Sequence, residues 1–206
     1  MTSSRTHLFV IAALGVVALV FAPIAASATT SHTVYKWNKV PVSVSSTQTV
    51  WVPKNTAGIS LHSTTGITAT ACQKPSTGYD INALYSNQTA TDKKQQPSFT
   101  IDEQTTNGCS DAGYTFYGQV SSFKNAYATV TIWAECGIEL KTDKPLPGWT
   151  GYEKCQPADV LTHSGWIQLE QTKKTKARYK TRVNIDTTLL SYAKVLKIAK
   201  GLTPLN

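Results

Sequence analysis

The chain has 206 residues and a formal net charge of +8 at pH 7. Charged residues make up 16% of it and hydrophobic residues 41%, a balance that excludes an intrinsically disordered chain. Ser and Thr supply almost a quarter of the residues after position 28. Because both residues favour strands and turns over helices, this composition excludes a helical bundle.

The first 28 residues have the pattern of a secretory signal peptide. A polar start containing Arg5 precedes an apolar stretch from Leu8 to Phe21, and Ala26-Ser27-Ala28 supplies the small residues of a cleavage site. This apolar stretch is shorter than the roughly 20 residues of a membrane-spanning helix. We therefore predict export to the extracellular space or the cell envelope, which is the periplasm if the host has two membranes. An uncleaved N-terminal anchor is the alternative.

All four cysteines lie after this leader, at Cys72, Cys109, Cys136 and Cys155. In an oxidising compartment they are expected to form two disulfides, because none of them has the Cys-x-x-Cys spacing of zinc or redox sites. Of the three pairings, we favour Cys72 with Cys109, which would join two turn-like segments, and Cys136 with Cys155, which would close the loop rich in Pro and Gly from Pro145 to Gly151. We expect neither a metal nor a cofactor.

Short segments of alternating apolar and polar residues recur along the chain, and the clearest runs from Ala126 to Cys136. In that segment Tyr127 and Trp133 face away from the small apolar side chains. About eight or nine such strands predict an all-β fold. We expect a disulfide-linked β-sandwich, Ig-like or jelly-roll-like, with a small barrel as the alternative. The weakly periodic stretch from Gln73 to Gln96 predicts a long surface loop, which carries a lone glycosylation sequon at Asn87.

The excess positive charge lies in the last 37 residues. Basic and acidic residues balance between Thr29 and Leu169, whereas nine Lys or Arg stand against two acids from Glu170 to Asn206. Such asymmetry indicates the partners of a protein rather than its fold.

This basic region predicts a β-hairpin made of Trp166 to Gln171 and Ala177 to Ile185. With the turn near Lys173 to Thr175, Glu170 lies opposite Arg178. The outer face of the second strand then carries four cations, about 6.6 to 6.8 Å apart: Lys176, Arg178, Lys180 and Arg182. A row of cations at this spacing can follow a polyanion. The alternative interpretation is that these side chains keep an edge strand from pairing with other sheets.

A helix is predicted from about Thr188 to Lys200, capped by Asp186 or Thr187 and stopped by Gly201. Leu190 and Ile198 lie outside its apolar arc. We expect this helix to pack on the sheet, with a cationic helix on a membrane surface as the alternative. The predicted organisation is a signal peptide (1–28), a β-sandwich core (29–165), and the hairpin and helix packed on the same domain (166–206).

No catalytic constellation is visible in the sequence. It lacks the His-Glu-x-x-His and Gly-x-Ser-x-Gly patterns. Glu135 and Glu139 would lie about 13 Å apart along a strand, too far for a glycosidase pair. An enzyme is therefore the less favoured interpretation.

The sequence resembles no family closely enough to name one. We predict a secreted, non-catalytic binding protein for an anionic cell-envelope or matrix polymer, held by the basic row and by Tyr127 and Trp133. Its expected partners are anionic polysaccharide or lipid head groups, nucleic acid as a non-specific polyanion, and further copies of the chain. The alternatives are a surface-filament or adhesin subunit that donates its strand 33–44, and a small secreted hydrolase.

Overall fold

The computed structural model describes residues 32–37, 40–45, 49–68, 79–89, 91–105, 116–151, 153–173, 175 and 180–205. Over these residues the protein is mostly β, as the composition predicts. The predicted leader, Cys72 and Cys109 lie outside the described residues. Within the described part of the chain, no helix is long and apolar enough to cross a membrane.

Seven strands form one antiparallel sheet. They are β4 (Leu61–Thr68), β5 (Tyr79–Ser86), β6 (Ser98–Thr105), β7 (Gly118–Lys124), β8 (Ala128–Ala134), β11 (Gly165–Gln171) and β12 (Thr181–Thr188). Their order across the sheet is β4-β5-β6-β12-β11-β8-β7. The two strands of the basic hairpin therefore occupy central positions.

The remaining elements are short. The other strands are β1 (His32–Trp37), β2 (Val40–Ser45), β3 (Trp51–Pro53), β9 (Ile138–Glu139), β10 (Lys144–Pro145) and β13 (Leu202–Pro204). They pair as β1 with β2, β3 with β13, and β9 with β10. The helices are α1 (Asp159–Thr162) and α2 (Tyr192–Gly201).

One face of the large sheet carries the hydrophobic core. Alternate residues of the central strands are fully buried there, for example Ile132, Ile167 and Ile185. Helix α2 covers this inner face with Val195, Ile198 and Ala199, and the Trp51 side chain of β3 is buried in the same cluster. The Tyr192 hydroxyl of α2 lies 3.0 Å from the Ser121 hydroxyl of β7. The core is therefore enclosed between a sheet and a layer made of a helix and a short ribbon.

The two facing sheets of the predicted sandwich are not confirmed. Among the described residues, the layer opposite the large sheet is α2 with the two-stranded ribbon β3–β13. The sheet is also open, with β4 and β7 at its edges, so the described strands do not close a barrel. The C-terminal helix supplies apolar surface that a second sheet would otherwise provide.

The alternation that predicted β8 is confirmed, since Ala128, Val130, Ile132 and Ala134 are buried. The strand is shorter than predicted at both ends. Ala126 and Tyr127 lie in the turn between β7 and β8, held by the Asn125 side chain. The prediction that Tyr127 shares a strand face with Trp133 is therefore wrong.

The predicted register of the basic hairpin is wrong by four residues. Strand β12 begins at Thr181 rather than at Ala177, so Glu170 lies opposite Arg182 and Ile167 opposite Ile185. A shift of four keeps every side chain on its original face, because strand side chains alternate with a period of two. The observed register is the one that buries Val183 and Ile185 in the core.

Helix α2 begins four residues later than predicted. Asp186 and Thr187 belong to β12, and Ser191 is the residue before the helix. The prediction that Leu190 and Ile198 lie outside the apolar face is wrong: Leu190 precedes the helix and both side chains are fully buried, while Leu189 is exposed. Leu189 has a positive φ of 55°, which marks the change of direction between strand and helix.

The Cys136–Cys155 disulfide is confirmed. It links the end of β8 to the segment before α1. Such bonds are typical of an oxidising compartment.

The prediction of a surface loop from Gln73 to Gln96 is partly wrong, because β5 lies within this segment and buries Ile81, Ala83 and Tyr85.

Candidate functional site

The predicted row of cations is only partly described. Lys176 and Arg178 lie outside the described residues, and Lys180 is a half-buried residue just before β12. Arg182 lies on the outer face of β12, with one Nη atom 3.7 Å from the Glu170 carboxylate. Because β12 is flanked by β6 and β11, Arg182 does not protect a sheet edge.

Trp133 belongs to a group of aromatic rings on the outer face. Its ring centroid lies 5.9 Å from that of Trp166, the residue directly opposite on β11. Tyr117 meets Trp166 edge to face at 6.0 Å. Trp166 is only 5% exposed and Trp133 is half-buried, so much of their surface is used within the protein.

Tyr127 is presented differently, because it is exposed on a tightly held turn. The Asn125 side-chain oxygen accepts hydrogen bonds from the backbone N–H groups of Tyr127 (2.9 Å) and Ala128 (2.7 Å). The Tyr127 carbonyl accepts from the N–H groups of Thr172 (2.8 Å) and Lys173 (3.1 Å), and from the Thr172 hydroxyl (3.1 Å). The side chain remains 41% exposed. The structure thus combines a fixed backbone with an accessible aromatic ring.

A groove of about 350 Å³ lies beside this ring. Its lining residues are Lys54, Asn125, Ala126, Tyr127, Lys200, Leu202, Thr203 and Pro204. The two lysines are brought together by a backbone hydrogen bond from the Lys54 N–H to the Gly201 carbonyl, at 2.9 Å. A Cβ atom at Gly201 would lie 2.9 Å from the Asn55 nitrogen, so glycine permits this close approach. We call this feature the Tyr127 groove.

The Tyr127 groove lies at a basic end of the sheet. Lys124 ends β7 there, Lys173 follows β11, and Lys180 precedes β12. The connection 172–180 starts and finishes at this end and contains five of the nine C-terminal cations. None of the described residues that line the groove is acidic. Among the described residues, Lys124, Lys173 and Lys180 therefore lie at the same end of the sheet as the two lysines of the groove.

The other end of β8, roughly 20 Å away along the strand, is rich in acids. The acids that follow β8 or lie beside it are Glu135, Glu139, Asp143, Glu153 and Asp159. They outnumber Lys141, Lys144 and Lys154 in the same region. A second cavity, of about 550 Å³, opens here beside the disulfide.

The candidate catalytic carboxylates lie at this acidic end but form no evident pair. Burial raises the pKa of the half-buried Glu135 carboxyl, the nearby His163 opposes that rise, and Asp143 adds to it. Glu139 is exposed and accepts a 2.7 Å hydrogen bond from the Thr142 hydroxyl. The chain turns at Cys136 and Gly137, so the 13 Å spacing expected for a continuous strand does not apply.

Glu103 is a buried carboxyl group that the sequence analysis missed. It lies on the inner face of β6, fully buried, opposite Ile81 and Val183 in the neighbouring strands. Its oxygens accept hydrogen bonds from the Trp51 N–H at 3.0 and 3.2 Å. Burial raises the pKa of Glu103 well above its usual range; the Trp51 hydrogen bond lowers it and Asp102 raises it further. The alternation of Phe99, Ile101 and Glu103 was the signal that could have identified this position.

The described residues offer one group of three close metal-ligating side chains: Cys136, Cys155 and Asp159. Both cysteine sulfurs are already joined in the disulfide. Because a thiolate must be free to coordinate a metal, this group is not a metal centre.

The Asn87 sequon is part of the local structure. The Asn87 side-chain oxygen accepts a hydrogen bond from the Ser60 N–H at 2.9 Å, and its nitrogen donates to the Gly58 carbonyl at 3.2 Å. That nitrogen is the atom to which a glycan would be attached. A glycan would therefore alter the contact between Asn87 and Gly58.

No protein-family model and no curated protein matches the sequence, and no solved structure matches the fold.

Lys54 and Lys200 were not part of the predicted site. Since they are far apart in sequence, only the pairing of β3 with β13 brings them together.

Proposed function

We propose that the protein is an exported, non-catalytic binding protein whose basic end holds an anionic polymer of the cell envelope or the extracellular matrix. The observation that carries this proposal is the Tyr127 groove, which places Lys54 and Lys200 beside an exposed ring and has no acid among its described lining residues. The disulfide is consistent with export to an oxidising compartment.

Two described cations, Lys173 and Lys180, extend the same surface. Lys173 and Lys180 flank the connection that also contains Lys176 and Arg178. Arg182 contributes less to this proposal, because it already faces Glu170. An extended polyanion that reaches from the groove to the connection would meet several cations, and each contact with it would release counterions.

The test is binding of the purified, oxidised protein to anionic polysaccharide, polyphosphate, single-stranded DNA and anionic vesicles at low and physiological salt. The first variant is Lys54→Ser/Lys200→Ser. Its matched control is Lys141→Ser/Lys144→Ser, which removes the same charge from exposed positions at the acidic end. A third variant replaces the predicted row: Lys176→Ser, Arg178→Ser, Lys180→Ser and Arg182→Ser.

We expect the groove variant to bind its polyanion at least about tenfold more weakly than the control variant. Where the ligand is a phosphate polymer, the negative slope of log K against log salt should become shallower by about one for each lost contact. Equal losses in the groove and control variants would mean that only net charge matters. No binding to any of these polyanions at low salt would contradict the proposal.

The filament alternative has less support from the arrangement of β1 and β2. These strands cover most of the segment 33–44 and pair with each other along their full length. Donation of the strand to a neighbour would first require that pairing to break. The size of the protein in solution, with and without residues 29–44, distinguishes the two functions.

A further inference from the structure

We infer that the Tyr127 groove binds a single acidic sugar ring, so that the polymer is a carboxylated polysaccharide rather than a polyphosphate or a nucleic acid. This inference rests on the proposed function and specifies its ligand. It combines three properties of the groove: a fixed aromatic surface, two nearby cations, and a volume suited to a small ring.

The aromatic surface comes from Tyr127. A sugar ring presents C–H groups on its flat faces, and these pack against an aromatic side chain while the hydroxyls stay hydrated. The hydrogen bonds that Asn125 accepts, and those that Thr172 and Lys173 donate, hold the turn in place before any ligand arrives. Because little of this backbone has to be ordered on binding, more of the contact energy appears as affinity.

The two cations come from different elements that meet at one hydrogen bond. Lys54 follows β3, and Lys200 lies in the last turn of α2. Their flexible side chains can place an ammonium group near a carboxylate on the bound ring. Because none of the described lining residues is acidic, none of them competes with the ligand for these charges.

The size and the walls of the groove distinguish a sugar from a phosphate chain. A volume of about 350 Å³ lies at the small end of ligand pockets and suits a single ring. Pro204 supplies apolar surface beside the Tyr127 ring, and Thr203 offers a hydroxyl for the ligand's hydroxyl groups. A polyphosphate has no apolar face to use these walls.

A single stacking position also disfavours single-stranded nucleic acid. Proteins that hold such strands stack successive bases on several aromatic side chains. Among the aromatic residues whose side chains the structure describes, Tyr127 is the one that is exposed. One ring beside two cations matches one charged sugar unit better than a run of bases.

The test compares polygalacturonate, polyphosphate and oligothymidylate as probes at physiological salt. The variants are Tyr127→Ala, Tyr127→Phe and Tyr127→Trp. The control is Leu140→Ala, which truncates another exposed apolar side chain, at the acidic end. Affinity is measured by calorimetry, and thermal unfolding checks that each variant is folded.

We expect Tyr127→Ala to bind polygalacturonate about tenfold more weakly, with Tyr127→Phe and Tyr127→Trp close to the wild type. Its affinity for polyphosphate should change by less than about twofold, because no charge is removed. The slope of log K for polygalacturonate against log salt should be the same in all three variants as in the wild type, because none of them removes a charge.

Two results would overturn the inference while leaving the proposed function intact. One is an equal effect of Tyr127→Ala, or no effect, on all three probes. The other is a loss confined to oligothymidylate, which would identify the ring as a base-stacking surface. If the wild type binds none of the probes even at low salt, both the inference and the proposed function are wrong.

Discussion

The buried Glu103 carboxyl predicts an unusual dependence of stability on pH. The folded protein holds this group in an apolar environment that raises its pKa well above the usual range, chiefly through burial. In the unfolded chain the same group titrates near its ordinary value, about 4.3. Between these two pKa values the folded state binds more protons than the unfolded state, so stability falls as pH rises.

The size of this pH dependence follows from a difference of one bound proton between the folded and the unfolded state. A single group of this kind changes the free energy of unfolding by about 1.4 kcal/mol per pH unit. In a protein of this size 1 kcal/mol corresponds to roughly 2–4 °C in melting temperature. The expected contribution of Glu103 is therefore a fall of about 3–6 °C per pH unit above the unfolded pKa, ending once the folded protein ionises.

The variant Glu103→Gln isolates this contribution. Glutamine keeps the shape and an oxygen that can accept from the Trp51 N–H, but it does not titrate. Its additional N–H donor needs a partner in the core, so a cost of about 1 kcal/mol is expected at pH 4. As pH rises, the melting temperature of the wild type should fall relative to that of the variant.

The assay is thermal unfolding followed by circular dichroism between pH 4 and 8, at constant ionic strength. The difference between the wild-type and Glu103→Gln curves removes the titrations that both proteins share. Glu139→Gln makes the same chemical change at an exposed position and serves as the control. Parallel curves for the wild type and Glu103→Gln would refute the account of Glu103 as a buried, protonated carboxyl.

Two further predictions concern the disulfide and the helix. Cys136→Ser/Cys155→Ser should lower the free energy of unfolding by about 3 kcal/mol, since the bond spans 19 residues. Denaturant titration measures this change. Unchanged stability would show that the disulfide does not constrain the unfolded chain. Ile198→Ala should cost about 2–5 kcal/mol, because the side chain is fully buried. Ala193→Ser on the exposed side of α2 should cost less than about 0.5 kcal/mol. Similar costs for the two helix variants would contradict the observed orientation of α2.

Local pattern determined several features of this protein. Alternation identified the buried face of β8, because a strand with one face on a core must place every second side chain there. The positions of Cys136 and Cys155 on either side of a loop rich in Pro and Gly indicated their disulfide. Composition correctly indicated a mostly β protein. The alternation and the disulfide depend on residues that are close in sequence, and composition needs no knowledge of contacts at all.

Other features were decided by packing between distant segments. The alternating pattern could not distinguish the predicted pairing of Glu170 with Arg178 from the observed pairing with Arg182, because both keep the same side chains on the same face. Only the burial of Val183 and Ile185 between β6 and β11 selects the observed register. The start of α2 follows from this register, since β12 continues to Thr188.

The Tyr127 groove likewise could not be read from local sequence. Lys54 and Lys200 are far apart in the chain, and they meet because β3 pairs with β13 directly after α2. Tyr127 alternates like a strand residue, yet the hydrogen bonds of Asn125 place it in a turn. The sequence by itself determined how much positive charge the C-terminal region carries. The tertiary structure decided where that charge lies, because side chains from separate elements converge only when the core is packed.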